Sequence, residues 1–350
     1  MPITLNTNNP SRVLDTAETI EVVCATDEAY VPHLAALLKS IERSKGIEAV
    51  RVHLIFDSVD DELAHALEAS VPGLILQTYH VSQHPALELP PLLQISRATY
   101  LRLMMDEVLD PAIERIIFLD VDMIVTTSLQ ELWHSDLAGQ IVGAVPDPGV
   151  NAADFARRHD LQGLGAYLNA GMLVVDMTKA REAAIFPQAL RYLLANPKSF
   201  EFADQDALNL VLWQSWTALD TTWNFQRKFL YEDFHHLHRD NRRALPGIVH
   251  FTETVKPWQA REWHPLEWLY WRALRHTPFF RAVTKREGIG RRRLLKSQLR
   301  FLLRRRPSPR VHHLVALAMR RRVLRGGAPR ATSDSTPPHR PSRRAAGDPP

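Results

Sequence analysis

Arg115-Ile116-Ile117-Phe118-Leu119-Asp120-Val121-Asp122-Met123-Ile124-Val125 is the stretch that decides how this chain is read. Its apolar, β-branched start predicts a buried strand. Residues i and i+2 of a strand share a face, so Asp120 and Asp122 can aim their oxygens at one point. Two carboxylates that close repel unless something positive lies between them, and a hard divalent cation serves that purpose. A plainer pattern fits equally: Asp120 ends the strand and Asp122 begins the next turn, since short acidic motifs are common.

Outward from this run the chain alternates. Strands are predicted at residues 20–25, 50–56 and 74–80, and helices at 31–44 and 60–70. A further helix, 92–108, precedes the acidic run, and more strands are expected at 141–145, 167–175 and 248–252. The β-α-β-α-β order argues for an α/β fold, a Rossmann-like, mostly parallel sheet flanked by helices.

With 350 residues the chain has ample length for a core, and 45% hydrophobic with 23% charged residues is a globular composition. No apolar run reaches the ~20 residues that span a bilayer. Residues 1–19 are polar and lack a signal-peptide pattern, so a disordered N-terminus is expected. A single cysteine, Cys24, excludes an intrachain disulfide framework and points to a reducing, cytoplasmic setting.

The formal charge of +4 hides an asymmetry. From Lys285 onward there are 19 Lys and Arg against Glu287, Asp334 and Asp348; before it, 24 basic residues face 36 acidic ones. An acidic body (residues 20–277) is thus followed by a basic segment. In residues 278–324, Leu295, Leu299 and Leu302 lie at helical spacing among arginines, as do Val311, Leu314, Val315 and Ala318. Such helices lie on anionic membranes. A solvated tail and RNA binding are the alternatives. Residues 325–350 are rich in Pro, Ser, Arg and Gly and are expected to be disordered.

Further chemistry-bearing residues stand at predicted strand ends and helix starts. Cys24-Ala25-Thr26-Asp27-Glu28-Ala29-Tyr30 closes the first strand, where open α/β sheets bind ligands. Asp27 can hold a ribose or base and Tyr30 can stack, although Asp27 equally suits a helix cap. No G-x-G-x-x-G is present, which argues against the usual dinucleotide site. Arg102 can reach anionic or hydroxylated groups or simply be solvated. Asn169-Ala170-Gly171 opens a strand with small residues that permit close approach, or a bulge. Asp204-Gln205-Asp206 starts a helix, where acidic residues are expected in any case. His250 ends a strand as a third metal ligand or a structural histidine, and Lys256 can neutralise phosphate.

In their order, Ala25 to Tyr30, Thr99-Tyr100-Leu101-Arg102-Leu103, Leu119-Asp120-Val121-Asp122, Asn169-Ala170-Gly171, Asp204-Gln205-Asp206 and His250 through Lys256-Pro257-Trp258 resemble glycosyltransferase family 8, particularly bacterial lipopolysaccharide and lipooligosaccharide galactosyl- and glucosyltransferases. The resemblance spans roughly residues 20–258. It implies a GT-A fold, a UDP-galactose or UDP-glucose donor, Mn²⁺ with Mg²⁺ as the alternative, and transfer with retention. It also implies that Ala25, Asp27 and Tyr30 hold uridine, that Arg102 and Asp204 contact the donor sugar, and that Asn169 and Ala170 line its site. Asp120, Asp122 and His250 would ligate the metal, with Asp120 also donor-binding, and Lys256 would meet the diphosphate. Gln205 would lie beneath the anomeric carbon, Asp204 would be the other candidate nucleophile, and Asp147 would face the acceptor. One position departs: Glu253 stands where the family usually has glycine, and a carboxylate beside phosphates must be turned outward or paired.

The expectation is therefore a metal-dependent retaining hexosyltransferase with a glycan or glycolipid acceptor, cytoplasmic and peripheral on the inner face of the membrane, with no nucleic-acid partner. The alternatives are a protein or soluble-sugar acceptor, or an RNA-binding protein acting through its Arg-rich tail.

Overall fold

The computed structural model describes residues 4–6, 18–81, 97–163, 165–195, 200–229, 245–259 and 264–304. Eight strands make the main sheet: β1 (Thr4–Asn6), β2 (Thr19–Thr26), β3 (Ala49–Phe56), β4 (Ile75–His80), β5 (Arg115–Leu119), β7 (Val142–Pro146), β8 (Leu168–Asp176) and β9 (Trp216–Ala218). Their order is β1-β4-β3-β2-β5-β8-β7-β9. All run one way except β1 and β8, which pair antiparallel with their neighbours. The expected mostly parallel α/β sheet is what the chain forms.

The continuous apolar runs follow from coverage on both faces. In β5, Ile117 and Leu119 join one core while Ile116 and Phe118 join the other, and β8 divides Met172 and Val174 from Leu173 and Val175 in the same way. Each fully buried side chain of this size contributes about 1.5–3 kcal/mol. The helix Val31–Ser44 lays Leu34, Leu37, Leu38 and Ile41 into the first core. Helices Ile185–Ala195 and Ala203–Val211 cover the other face.

The acidic run departs from the expectation of one strand. The β5 ladder stops at Leu119 opposite Met172, and Asp120-Val121-Asp122 forms a turn. Met123–Val125 then enters a different, three-stranded sheet as β6, paired with β11 (Ile248–His250), which pairs with β10 (Phe225–Gln226). A carboxylate carried into the double-sided core would lose its hydration without a partner, so the strand ends where its apolar residues end. The plainer reading of where these residues lie is the correct one.

Other boundaries moved. The helix expected at 92–108 is, over its described part, a 3₁₀ run Arg97–Met104 and one α-turn Met105–Val108; residues 92–96 lie outside the described residues. Thr4–Asn6, within the segment expected to lack order, pairs with Thr78–His80. Beyond residue 277, Phe279, Val283 and Ile289 are buried in the first core. The helix Arg291–Arg304 follows, with Leu295 and Leu299 exposed at 68% and 48%. The second amphipathic stretch, 311–319, and residues 325–350 lie outside the described residues. Trp223, Trp258 and Trp271 are core residues. Among the described residues no helix is long and apolar enough to cross a membrane.

Candidate active site

The site lies where the two sheets meet, beyond the ends of β2 and β5. Asp120 stays on the main sheet through its N–H to the Gly171 carbonyl (2.8 Å), and Asp122 is tied to the small one by its carbonyl, which accepts from Phe251 N–H (3.1 Å). The β6–β11 register sets His250 opposite Met123. One ligand atom each from Asp120, Asp122 and His250 falls within 4.8 Å of the others. Both carboxylates therefore converge from a turn, by tertiary pairing rather than by strand alternation.

Charge surrounds this trio. Lys256 Nζ donates to Asp122 Oδ2 (2.7 Å) and to the Phe251 carbonyl (2.8 Å). Burial works against ionised Asp122, yet Lys256 and His250 hold its carboxyl well below the usual range. Burial raises Asp120, with Arg102 opposing and the Asp122 charge adding to the rise. Asp122 Oδ1 is buried without a hydrogen-bond donor and faces His250 Nε2 at 3.2 Å. Two carboxylates, an imidazole nitrogen and an undonated buried oxygen fit a divalent cation completed by further oxygen ligands.

Arg102 is 4% exposed, which excludes the solvated alternative. It donates to Asp120 Oδ1 (2.7 Å) and the Ala170 carbonyl (2.5 Å), pairs with Asp204 Oδ2 (2.5 Å) and lies over the Phe118 ring. Asp204 is 2% exposed; burial pushes its carboxyl up to about 7, against the pull of Arg102. The pair is thus a brace beneath Asp120.

Asn169-Ala170-Gly171 sits at a bulge: β7 pairs Ala144 with Leu173 and then Val145 with Asn169. The freed Ala170 N–H donates to Gln205 Oε1 (3.0 Å). Gln205 Nε2 donates to Asp147 Oδ2 (3.2 Å) and Tyr167 Oη (3.4 Å), while the Tyr167 hydroxyl donates to Asp206. Asn169 Nδ2 also donates to Asp147 Oδ2 (3.0 Å). Gln205, Asn169, Ala170 and Asp147 are therefore one connected group.

At the end of β2, Asp27 Oδ1 caps the 3₁₀ turn Glu28–Tyr30 by accepting from Tyr30 N–H (3.1 Å). Tyr30 meets Trp258 edge-on at 6.0 Å, and Lys256 and Asp122 are close enough to act on its hydroxyl. Ala25 is half-buried in the last turns of the same strand. The departure at Glu253 is resolved by pairing: its Oε1 lies 4.0 Å from Arg227 Nε. Burial raises this carboxyl, and Arg227 offsets part of the rise.

Three groups escaped the sequence reading. Asn224 is fully buried and bonded to His250 Nδ1 (2.8 Å), Tyr167 buttresses Gln205, and Arg227 pairs with Glu253. The one signal for Asn224 was a polar residue between Trp223 and Phe225, which does not name a partner 26 residues away.

A Rossmann-like mixed sheet with an acidic pair and a histidine gathered beyond its strand ends is the class of α/β fold this chain adopts. Comparison places the chain more narrowly: residues 21–262 match the model of glycosyl transferase family 8, and the protein belongs to that family. It is a glycosyltransferase with a GT-A fold. General stress protein A of Bacillus subtilis is 26% identical over 275 residues, covering 74% of this chain and 94% of that one. Lipopolysaccharide 1,2-glucosyltransferase of Escherichia coli K12 is 24% identical over 272 residues, covering 76% and 80%. Galactosyltransferase LgtC, solved with donor and acceptor sugar analogues, superimposes with a TM-score of 0.62 at 21% identity, over 79% of this chain and all of that one.

Proposed function

We propose that this glycosyltransferase moves a hexose, galactose or glucose, from a UDP-sugar to a glycan or glycolipid of the bacterial surface, with retention and with a divalent metal, Mn²⁺ or Mg²⁺. The carrying observation is the convergence of Asp120, Asp122 and His250 with Lys256 beside them. The lipopolysaccharide relative supports the acceptor class. Bound there, the cation would supply Lewis-acid stabilisation of the departing diphosphate.

The chain's own residues do the rest. Lys256 contributes a fixed positive charge where negative charge develops on UDP. Asp27 and Tyr30 hold the uridine against Trp258, with Ala25 as backbone floor. The Arg102–Asp204 brace sets Asp120, and Asn169 and Ala170 line the donor sugar. Retention needs either a nucleophile below the sugar or attack from the leaving group's face. Same-face attack is favoured, because Asp204 is 2% exposed and ion-paired, while Gln205 is a neutral amide held by Ala170 N–H. The anomeric C–O bond to UDP breaks as the acceptor oxygen bonds that carbon, and the acceptor proton leaves with the phosphate. Asp147 faces the acceptor: an open cleft lined by Gly149, Asn151, Arg157 and Phe202 begins two residues beyond it.

The exposed Leu295, Leu299, Arg291 and Arg292 of the helix Arg291–Arg304 suit an anionic membrane surface on which a glycolipid acceptor would lie. The test is metal-dependent UDP-sugar hydrolysis and transfer by the wild type and by Asp122→Asn. We expect Asp122→Asn to abolish transfer with the fold intact and to remove the metal dependence of UDP binding. Full activity in EDTA, or a product whose linkage is β by NMR, overturns the reading.

A further inference from the structure

Two buried amides, Asn169 and Asn224, link Asp147 to His250, and the donors all point toward Asp147. Asn169 is oriented twice. Its Oδ1 accepts from the Gly171 backbone N–H (3.1 Å), which can only donate, and its Nδ2 donates to the Asp147 carboxylate (3.0 Å). Asn224 Nδ2 donates to the same Asn169 Oδ1 (2.8 Å), so the Asn224 Oδ1 is left facing His250 Nδ1 (2.8 Å). An amide oxygen only accepts, and Nδ1 must therefore carry the proton. Turning Asn224 over would set two oxygens 2.8 Å apart. Turning Asn169 as well would oppose two donors at Gly171 and two acceptors at Asp147. With Asn224, Asn169 and His250 at 0%, 4% and 4% exposure, the protein groups carry this polarity.

We propose that Asn224 is a positioning residue that holds His250 as the Nδ1–H tautomer, so that Nε2 turns its lone pair toward Asp120 and Asp122. Outer partners of metal-bound histidines act in this way, fixing tautomer and ring angle. The relay also ties the metal side of the site to Asp147 and Gln205, whose Nε2 shares the Asp147 Oδ2. The inference rests on the reading of Asp120, Asp122 and His250 as a divalent-metal site.

Two measurements on the full-length protein test it. Long-range ¹H–¹⁵N NMR of the metal-free protein, with His250 assigned by difference from His250→Gln, should show a proton held on Nδ1. A bare Nδ1, with the proton on Nε2 alone, overturns the proposal, whether or not the variants fold. Mn²⁺ binding, followed by electron paramagnetic resonance without nucleotide, should weaken about 10- to 100-fold in Asn224→Leu. Asn224→Asp restores an acceptor for Nδ1–H and should recover most of that loss. Unchanged affinity in Asn224→Leu, or equal losses in both variants, overturns it. Failure of the wild type to bind Mn²⁺ would instead remove the metal reading and leave the tautomer to the NMR result.

Discussion

Gly171 lies directly beneath His250: a methyl group on its Cα would fall 2.3 Å from His250 Cε1 and 2.8 Å from Asp120 Oδ2. Space, not backbone conformation, is what demands glycine here, because Gly171 is not among the positive-φ glycines. The small residue that the sequence offered to a ligand is used to seat two side chains of the proposed metal site.

Gly171→Ala should therefore push His250 and Asp120 apart. Metal-dependent transfer should fall by at least about tenfold, in line with losses seen when ligand supports are removed. The strand itself tolerates alanine, so circular dichroism should be unchanged. Wild-type metal affinity in Gly171→Ala would show that the ligands relax without cost.

Arg102 braces two buried carboxylates, and Arg102→Met leaves both without it. Breaking a buried pair in this way costs about 3–5 kcal/mol. Burial raises Asp204, to about 7 even with Arg102 present. A raised carboxyl binds protons in the folded state, so the variant's deficit should shrink as pH falls from 8 to 5.5. Urea unfolding at both pH values measures this, and a deficit that grows with acid would refute it.

Acid should unfold the wild type through two histidines outside the proposed metal site. His33 is stacked on Trp258 at 3.6 Å with Nδ1 bonded to Tyr270 Oη, and burial followed by Arg286 lowers it to about 3. Burial and Arg227 lower His264 to about 3 as well. Both pKa values are depressed on folding. The stability they contribute is present above about 6.5 and is lost as pH falls, because the unfolded chain takes up the protons first. Each should cost roughly 2 kcal/mol between pH 7 and 5. His33→Phe keeps a stacked ring and should flatten the pH dependence of the melting temperature; an unchanged slope would exclude His33 as a source.

Leu295 and Leu299 stand exposed beside Arg291, Arg292 and Lys296 on one helix. Leu295→Glu/Leu299→Glu should reduce co-sedimentation with anionic vesicles, where each basic residue near the surface contributes about 1 kcal/mol. Hydrolysis of UDP-sugar should persist. Equal sedimentation of wild type and double variant would remove the membrane role, and salt-sensitive RNA binding with no lipid preference would move this segment to nucleic acid.

What the sequence determined by itself is local or carried by order along the chain. Apolar runs such as Ile116–Leu119, buried on both faces, announce the sheet because periodicity reports coverage directly. Val31–Ser44 shows its core stripe in its spacing, and the succession of Asp120, Asp122, Asn169, Gln205 and His250 carried the family. Tertiary structure alone decided how those residues meet. The acidic pair converges because one chain leaves the main sheet at Leu119 and joins another at Met123, a switch set by long-range pairing with Ile248–His250. Arg102 became a brace, Glu253 found Arg227, and Asn224 found His250 for the same reason. Hydrogen-bond polarity and ion pairing depend on distances and directions between residues far apart in sequence, and no residue carries that information in its own position.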